Sequence, residues 1–286
     1  MTAELFIGTS GWSYPDWEGV FYPAGAGKAL NRLSYYAGYF DAVEINTSFY
    51  RPPNPDYAKK WLDNVAANPR FMFTAKLWQR FTHERATRWT DEEVELFRRG
   101  IEPLAAAGKL GALLIQFPWS FKNSEPERRW LADLSRAFAD YPKVVEVRHT
   151  SWLGKPAIDY FGTLGLSFCN IDQPPERNSI GPTALTTGPV GYCRFHGRNA
   201  ENWFKKDAGR DARYDYLYSG DELQPWLDNI EEMERRIEQI YVMTNNHYRG
   251  QAPVNALQMR AALGGGKARV PASLIDYYPV LKTVAE

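Results

Sequence analysis

The chain has 286 residues, 34 of them Lys or Arg and 34 Asp or Glu, so its formal net charge is zero. That balance argues against a broad basic surface for sequence-independent nucleic-acid binding. No apolar run approaches the ~20 residues that cross a bilayer. The length suits one large α/β barrel, which typically takes about 250 residues. Met1-Thr2-Ala3-Glu4-Leu5 has neither the positive n-region nor the apolar stretch of a secretory signal. Cys169 and Cys193 each sit in an apolar, strand-like run, as buried reduced thiols do. These features predict a soluble, cytoplasmic protein that does not engage a membrane; they do not set its oligomeric state.

In chain order, Leu5 to Trp12 reads as a strand entering a Gly-marked turn, followed by an aromatic loop. Leu30 to Phe40 has helical spacing. Ala42 to Tyr50 reads as a strand running into a polar, aromatic loop, with Val43 and Ile45 alternating with Glu44 and Asn46. Pro55 suits a first helical turn, and a helix follows to Ala67. Phe71 to Lys76 is a third strand. Thr90 with Glu93 forms a capping box for a helix ending near Ala107. Leu110 to Phe117 is apolar nearly throughout, as a parallel strand buried on both faces should be. A helix over Glu127–Ala139, a strand over Lys143–Arg148, a short helix over Ala157–Leu164 and a strand over Leu166–Asp172 follow. Gln173 to Pro189 holds four prolines and no helical pattern. Val190 to His196 is the seventh strand, Asp221 to Glu238 an amphipathic helix, Gln239 to Asn245 the eighth strand and Ala252 to Leu263 a closing helix. This order predicts an α/β fold: a single (β/α)8 TIM-like barrel domain over residues 1–286, with an irregular segment after the sixth strand. A doubly wound sheet is the lesser alternative, because Gly8-Thr9-Ser10-Gly11 is not GxGxxG.

In such barrels chemistry gathers at the carboxyl ends of the strands. Polar residues fall there on strand after strand: Glu44 and Asn46, Lys76, Gln116, Glu146 and Arg148, Asp172, Arg194 and His196, and Asn245. Taken singly, each reads more simply as a salt-bridge partner or a cap. Together they predict a pocket. Lys76, Arg148 and Arg194 suit a phosphate or carboxylate. Glu44 is the candidate general base and His196 the candidate proton carrier. Trp12, Tyr14 and Tyr50 join Asn46, Lys76, Gln116, Glu146, Arg148, Asp172, Arg194 and Asn245 as candidate binding residues. Further rings just after the strands (Trp17, Trp78, Trp119, Trp152, Trp203, Phe81, Phe121, Phe204, Tyr214, Tyr216, Tyr218, Tyr248) divide between core and a rim for stacking on a sugar or base. Lys205, Lys206 and Arg210 make the loop from Arg198 to Arg213 a candidate cationic lid. No cofactor and no metal ligand set are predicted. A divalent metal stays open, since Glu44, Glu146, Asp172, His196 and His247 are ligand types, but HxH and HExxH spacings are missing.

Ile7-Gly8-Thr9-Ser10-Gly11-Trp12-Ser13-Tyr14 and Val43-Glu44-Ile45-Asn46-Thr47-Ser48-Phe49-Tyr50 resemble the YecE-like family, a domain of unknown function. Phe73 to Lys76, Gln116-Phe117-Pro118, Val145 to Arg148, Tyr192 to Gly197 and Asn245-Asn246-His247 are similar to it as well. The resemblance spans nearly the whole chain. It implies a TIM-like barrel and leaves the activity open.

The expectation is therefore a metal-independent acid–base enzyme, a hydrolase, lyase or isomerase, acting on a small anionic sugar or nucleotide. The competing readings are a nucleic-acid-binding or repair-associated protein, which the balanced charge disfavours, and a non-catalytic ligand sensor.

Overall fold

The computed structural model describes residues 3–203, 205 and 209–286. Parallel strands close into a barrel in chain order: β1 (Glu4–Ser10), β2 (Ala42–Ile45), β3 (Met72–Lys76), β4 (Leu110–Gln116), β5 (Lys143–Glu146), β6 (Leu166–Asp172), β7 (Gly191–Phe195) and β8 (Gln239–Thr244). β1 and β8 complete the ring over a register from Glu4↔Gln239 to Thr9↔Thr244. The eight-stranded α/β barrel expected from the alternation of strands and helices is the fold observed.

Local chemistry explains the element boundaries. Helix Pro55–Val65 starts with Pro in its first turn, and the Asn54 side chain accepts from Asp56 N at 2.8 Å. Helix Asp91–Ala106 carries the expected Thr90/Glu93 capping box. Helix Gly220–Glu234 has a second box, Ser219 with Glu222. No helix bridges β6 and β7 among the described residues. Asn170 organises that crossover instead: its Oδ1 accepts from Leu185 N at 2.8 Å and from Thr183 Oγ1 at 2.7 Å.

Three features differ from expectation. The stretch after β2 is a turn of helix, Thr47–Tyr50, rather than a loop; Ser48 Oγ lies 2.6 Å from each of the carbonyls of Ile45 and Lys76, shares its one proton between them, and ties this turn to β3. The segment after β7 forms short helices Ala200–Trp203 and Arg210–Arg213. Phe204 and Lys206, and the side chain of Arg210, lie outside the described residues. Finally, β6 is turned over. Its Asp172 and Asn170 point outward to Trp226 and Met233 of helix Gly220–Glu234, while Cys169 faces the barrel interior, near enough to Glu146 and Arg194 to feel their charges.

The β1–β2 seam is bridged by a side chain. Tyr36, from helix Arg32–Ala37, receives Thr9 N–H at 2.8 Å and donates to Ala42 O at 2.9 Å. Gly8 leaves room for it: a Cβ there would lie 2.8 Å from the Tyr36 hydroxyl and 1.8 Å from Ala42 O. Tyr36→Phe strands a buried donor and a buried acceptor, so the variant should lose roughly 2–4 kcal/mol of unfolding free energy in urea titrations. A loss too small to resolve would show that the hydroxyl is not part of the seam.

Candidate functional site

The barrel interior is filled in layers. Lowest, the rings of Phe6 and Tyr241 stack at 5.0 Å and Tyr241 meets Tyr192 at 6.0 Å. Above them the Tyr192 hydroxyl pairs with Thr74 Oγ1 at 2.8 Å and donates to Glu44 Oε2 at 2.9 Å. Tyr192 and Arg194 are two apart on one strand, so the pleat brings both to the interior.

Arg194 is the centre of the next layer. Its Nε donates to Glu44 Oε2 at 3.0 Å and its Nη2 to Glu44 Oε1 at 2.7 Å, a bidentate pair. Its Nη1 donates to Glu146 Oε2. Glu146 also receives Arg148, through Nε at 3.0 Å and Nη2 at 2.7 Å, both on Oε1. Glu44 and Glu146 are fully buried and Arg194 nearly so. Burial works to raise the Glu146 carboxyl, but Arg194 and Arg148 beside it overcome that and hold it well below the usual carboxylate range.

His196 lies over this network. Its Nε2 is 3.3 Å from Glu146 Oε1, and its Nδ1 is 3.0 Å from Asn245 Nδ2. With Asn245 donating to Nδ1, the Nε2–H tautomer faces Glu146. Burial pushes the imidazole pKa down to about 3; Glu146 opposes the shift and Arg194 and Arg148 add to it. His196 is therefore uncharged at neutral pH.

Lys76 ends β3 beside this layer. Its Nζ stands 4.0 Å from the centre of the Phe49 ring and has no hydrogen-bond or ion-pair partner among the described residues. Burial lowers its pKa to about 7, with Arg194 and Arg148 adding to that and Glu146 and Glu44 opposing it. The two guanidiniums of Arg148 and Arg194 cancel the two carboxylates of Glu44 and Glu146. The sign of the site is thus set by whether Lys76 carries a proton.

A cavity of about 310 Å³ opens above these groups at the carboxyl ends of the strands. Of the residues picked out in the sequence, Trp12, Tyr14, Asn46 and Tyr50 line one part of it. Lys76, Gln116, Arg148, Arg194, His196 and Asn245 line the rest. Glu44 and Glu146 lie beneath its floor. Asp172 is elsewhere, held by Arg198 (Nε to Oδ1, 2.9 Å; Nη2 to Oδ2, 2.6 Å), the Tyr218 hydroxyl at 2.7 Å and Trp226 Nε1 at 2.7 Å. Among the rings, Trp17, Trp152, Phe81, Phe121 and Tyr218 are core. Tyr50 is 66% exposed at the mouth, and Tyr214 and His247 line the wall, with His247 stacked on Tyr14 at 4.4 Å. Trp203 reaches back to within 5.8 Å of the His196 ring and 5.6 Å of Arg148 Cζ. Sequence reasoning passed over Phe49 as a site residue; its signal is its place three positions after Asn46 in a turn of helix, which returns both to one side. Among the described residues no three His, Cys, Asp or Glu side chains gather as a metal-holding group.

The protein family described as "Protein of unknown function DUF72" matches residues 6–275. The chain belongs to the DUF72 family. UPF0759 protein YunF of Bacillus subtilis is 29% identical over 268 residues, 89% of this chain and 93% of YunF. UPF0759 protein YecE of Escherichia coli K12 is 29% identical over 192 residues, 67% of this chain and 62% of YecE. The expected kinship with the YecE-like proteins is thereby shown. A DUF72 family protein of Thermotoga maritima shares the fold with a TM-score of 0.80 and 36% identity, over 91% of this chain and 99% of its own. Another, from Enterococcus faecalis, has a TM-score of 0.80 and 25% identity, over 94% of this chain and 98% of its own. None of these names states an activity.

The buried histidine should make this DUF72 barrel acid-sensitive. An unfolded His takes up a proton below pH ~6.5, while folded His196 stays neutral down to about 3. Stability is therefore lost as pH falls through that window. Glu146, whose folded pKa is depressed, adds a loss in the same direction only below the ordinary carboxylate pKa. Between pH 6.5 and 5, His196→Asn should lose roughly 2 kcal/mol less than the parent chain in urea titrations, the share of one proton over that span. Equal losses in the two proteins would refute this placement of the proton.

Proposed function

We propose that the strand-end cavity binds a small anionic molecule, a sugar or nucleotide bearing phosphate or carboxylate, and acts on it by acid–base chemistry of a hydrolase, lyase or isomerase kind. The observation that carries this is the pairing pattern of the cations. Arg194 is saturated by two carboxylates, whereas the Lys76 amine faces the cavity with no counter-ion among the described residues, beside a partly exposed Arg148. An anion entering here meets an unmatched positive charge in a partly desolvated site, where charge-assisted hydrogen bonds are strong. Asn46, Gln116 and Asn245 offer neutral hydrogen bonds, and Trp12, Tyr14 and Tyr214 offer faces for a sugar or base.

The same geometry supports a reading of the proton roles. Glu44 accepts from Arg194 and Tyr192 beneath the floor, so we assign it to holding Arg194 rather than to taking a substrate proton. Lys76, with a pKa of about 7, is the group that exchanges a proton near neutrality. His196 supplies a neutral imidazole at its side.

The test is a thermal-shift and calorimetric screen of sugar phosphates, sugar acids and nucleotides, followed by NMR of any ligand found to look for turnover. Lys76→Met and Arg148→Met should each weaken the best ligand by about 10–100-fold, the worth of one charge-assisted hydrogen bond. If both variants bind like the parent, or the parent binds no anion, the cavity is not an anion site.

A further inference from the structure

Lys76 is unusual among the charged groups at the carboxyl ends of the strands. Glu44, Glu146 and Arg194 are held in one ion network, while Lys76, between them and the cavity, stays out of it. A lysine kept only to balance charge sits in an ion pair. One kept only to grip a phosphate or carboxylate is outperformed by the bidentate fork of arginine. What lysine alone offers at such a place is a primary amine that can lose its proton and attack carbon. Its backbone is fixed at the end of β3, where its carbonyl receives Ser48 Oγ at 2.6 Å, so the amine has an anchored origin.

We propose that Lys76 Nζ forms an imine with an aldehyde or ketone that also bears a phosphate or carboxylate, the anionic group lying against Arg148. This deepens, and rests on, the anion-site reading above. The neutral amine donates its lone pair to the carbonyl carbon, forming a C–N bond, and the carbonyl π pair moves to oxygen. That oxygen takes up a proton as the nitrogen gives one up, leaving a carbinolamine. A second proton then carries the hydroxyl away as water, and the nitrogen lone pair closes the C=N⁺ bond. No oxidant or reductant is needed. The Phe49 ring, 4.0 Å from Nζ, stabilises the cationic product, and the substrate's own anion offsets the repulsion from the guanidiniums. The iminium then acts as an electron sink for loss of a proton or of a carbon substituent at the neighbouring carbon, chemistry that fits a lyase or an isomerase.

The charged and titratable groups around the amine are Glu44 from β2, Glu146 from β5 with Arg148 just beyond it, Arg194 from β7 with His196 just beyond it, and His83 after β3. Burial and the two guanidiniums leave the amine half neutral near pH 7. Its nucleophilicity should therefore rise through neutrality, where an ordinary lysine is almost wholly protonated.

The experiment treats the full chain with pyridoxal 5′-phosphate or glyoxylate, and separately with formaldehyde, in the presence of sodium cyanoborohydride. Adducts are read by intact mass and peptide mapping. The expected result is one dominant adduct, on Lys76, with a rate half-maximal near pH 7 and suppressed by inorganic phosphate. Lys76→Arg, which keeps the charge, should lose that adduct while melting at a similar temperature. Arg148→Met should slow labelling by the anionic aldehydes at least about tenfold more than labelling by formaldehyde, since loss of its charge affects the amine alike for both but only the anionic aldehydes use the guanidinium. Competition by phosphate on the parent chain gives an answer even if a variant folds poorly. Labelling spread evenly over the lysines, with Lys76 no faster than the rest, overturns the imine. If phosphate binds yet Lys76 is not trapped, the imine fails and the anion site stands. If formaldehyde traps Lys76 but phosphate neither binds nor competes, the anion site fails, and with it the proposed substrate class.

Discussion

A guanidinium buried inside the barrel is the constraint on which the upper half of this structure depends. Arginine cannot discard its proton in a protein, so its burial requires carboxylates within hydrogen-bonding reach. Glu44 arrives from β2 and Glu146 from β5, on either side of Arg194 on β7. Everything nearby is arranged around that triad. Tyr192, itself paired with Thr74, donates to the lower oxygen of Glu44, Arg148 occupies the free edge of Glu146, and His196 is held neutral between Glu146 and Asn245. In other proteins, well-packed apolar side chains often replace such buried ion sets at no loss of stability. Here the set accomplishes something packing would not: it provides a polar floor of no net charge beneath a cavity, on which one further amine decides the sign.

The rest of the site grades outward from that floor. Neutral amides and the imidazole form a middle tier, and aromatic rings form the walls and mouth. The tiers come from many strands and the turns that follow them, the arrangement by which barrels assemble sites from separate stretches of chain. The turn of helix after β2 matters most for Lys76, because its Ser48 hydroxyl ties it to the end of β3 while its Phe49 ring stands by the amine.

Much of this was legible in the sequence. The eight strands could be ordered from their apolar runs, and on β2, β5 and β7 a single polar phase placed Glu44, Glu146, Arg148, Arg194 and His196 toward one interior. β6 shows where such inference stops. Both of its faces are buried, so Asn170 and Asp172 could equally have pointed in or out. The deciding factor was tertiary: Asp172 has Arg198, Tyr218 and Trp226 waiting on the helix side. The different surroundings of Glu44 and Lys76 were hidden for a similar reason. Residue type marks both as chemically able, but only the geometry shows that Glu44 is enclosed by Arg194 and Tyr192 while Lys76 opens to the cavity.

The ion triad also bears on the order in which this chain can fold. Glu44 and Arg194 are 150 residues apart, and Glu146 and Arg194 are 48 apart. The first four strands contain Glu44 and Lys76 without either guanidinium, whereas Glu146, Arg194 and, just after β5, Arg148 belong to the second half. Neither half-barrel can bury its share of charge with the partners it finds in the full ring. The interior above Tyr192 should therefore dehydrate fully only once the two halves have met, so closure of the ring, a long-range step, is expected to be the step that creates the cavity. A partly assembled barrel is then expected to hold no complete version of the site.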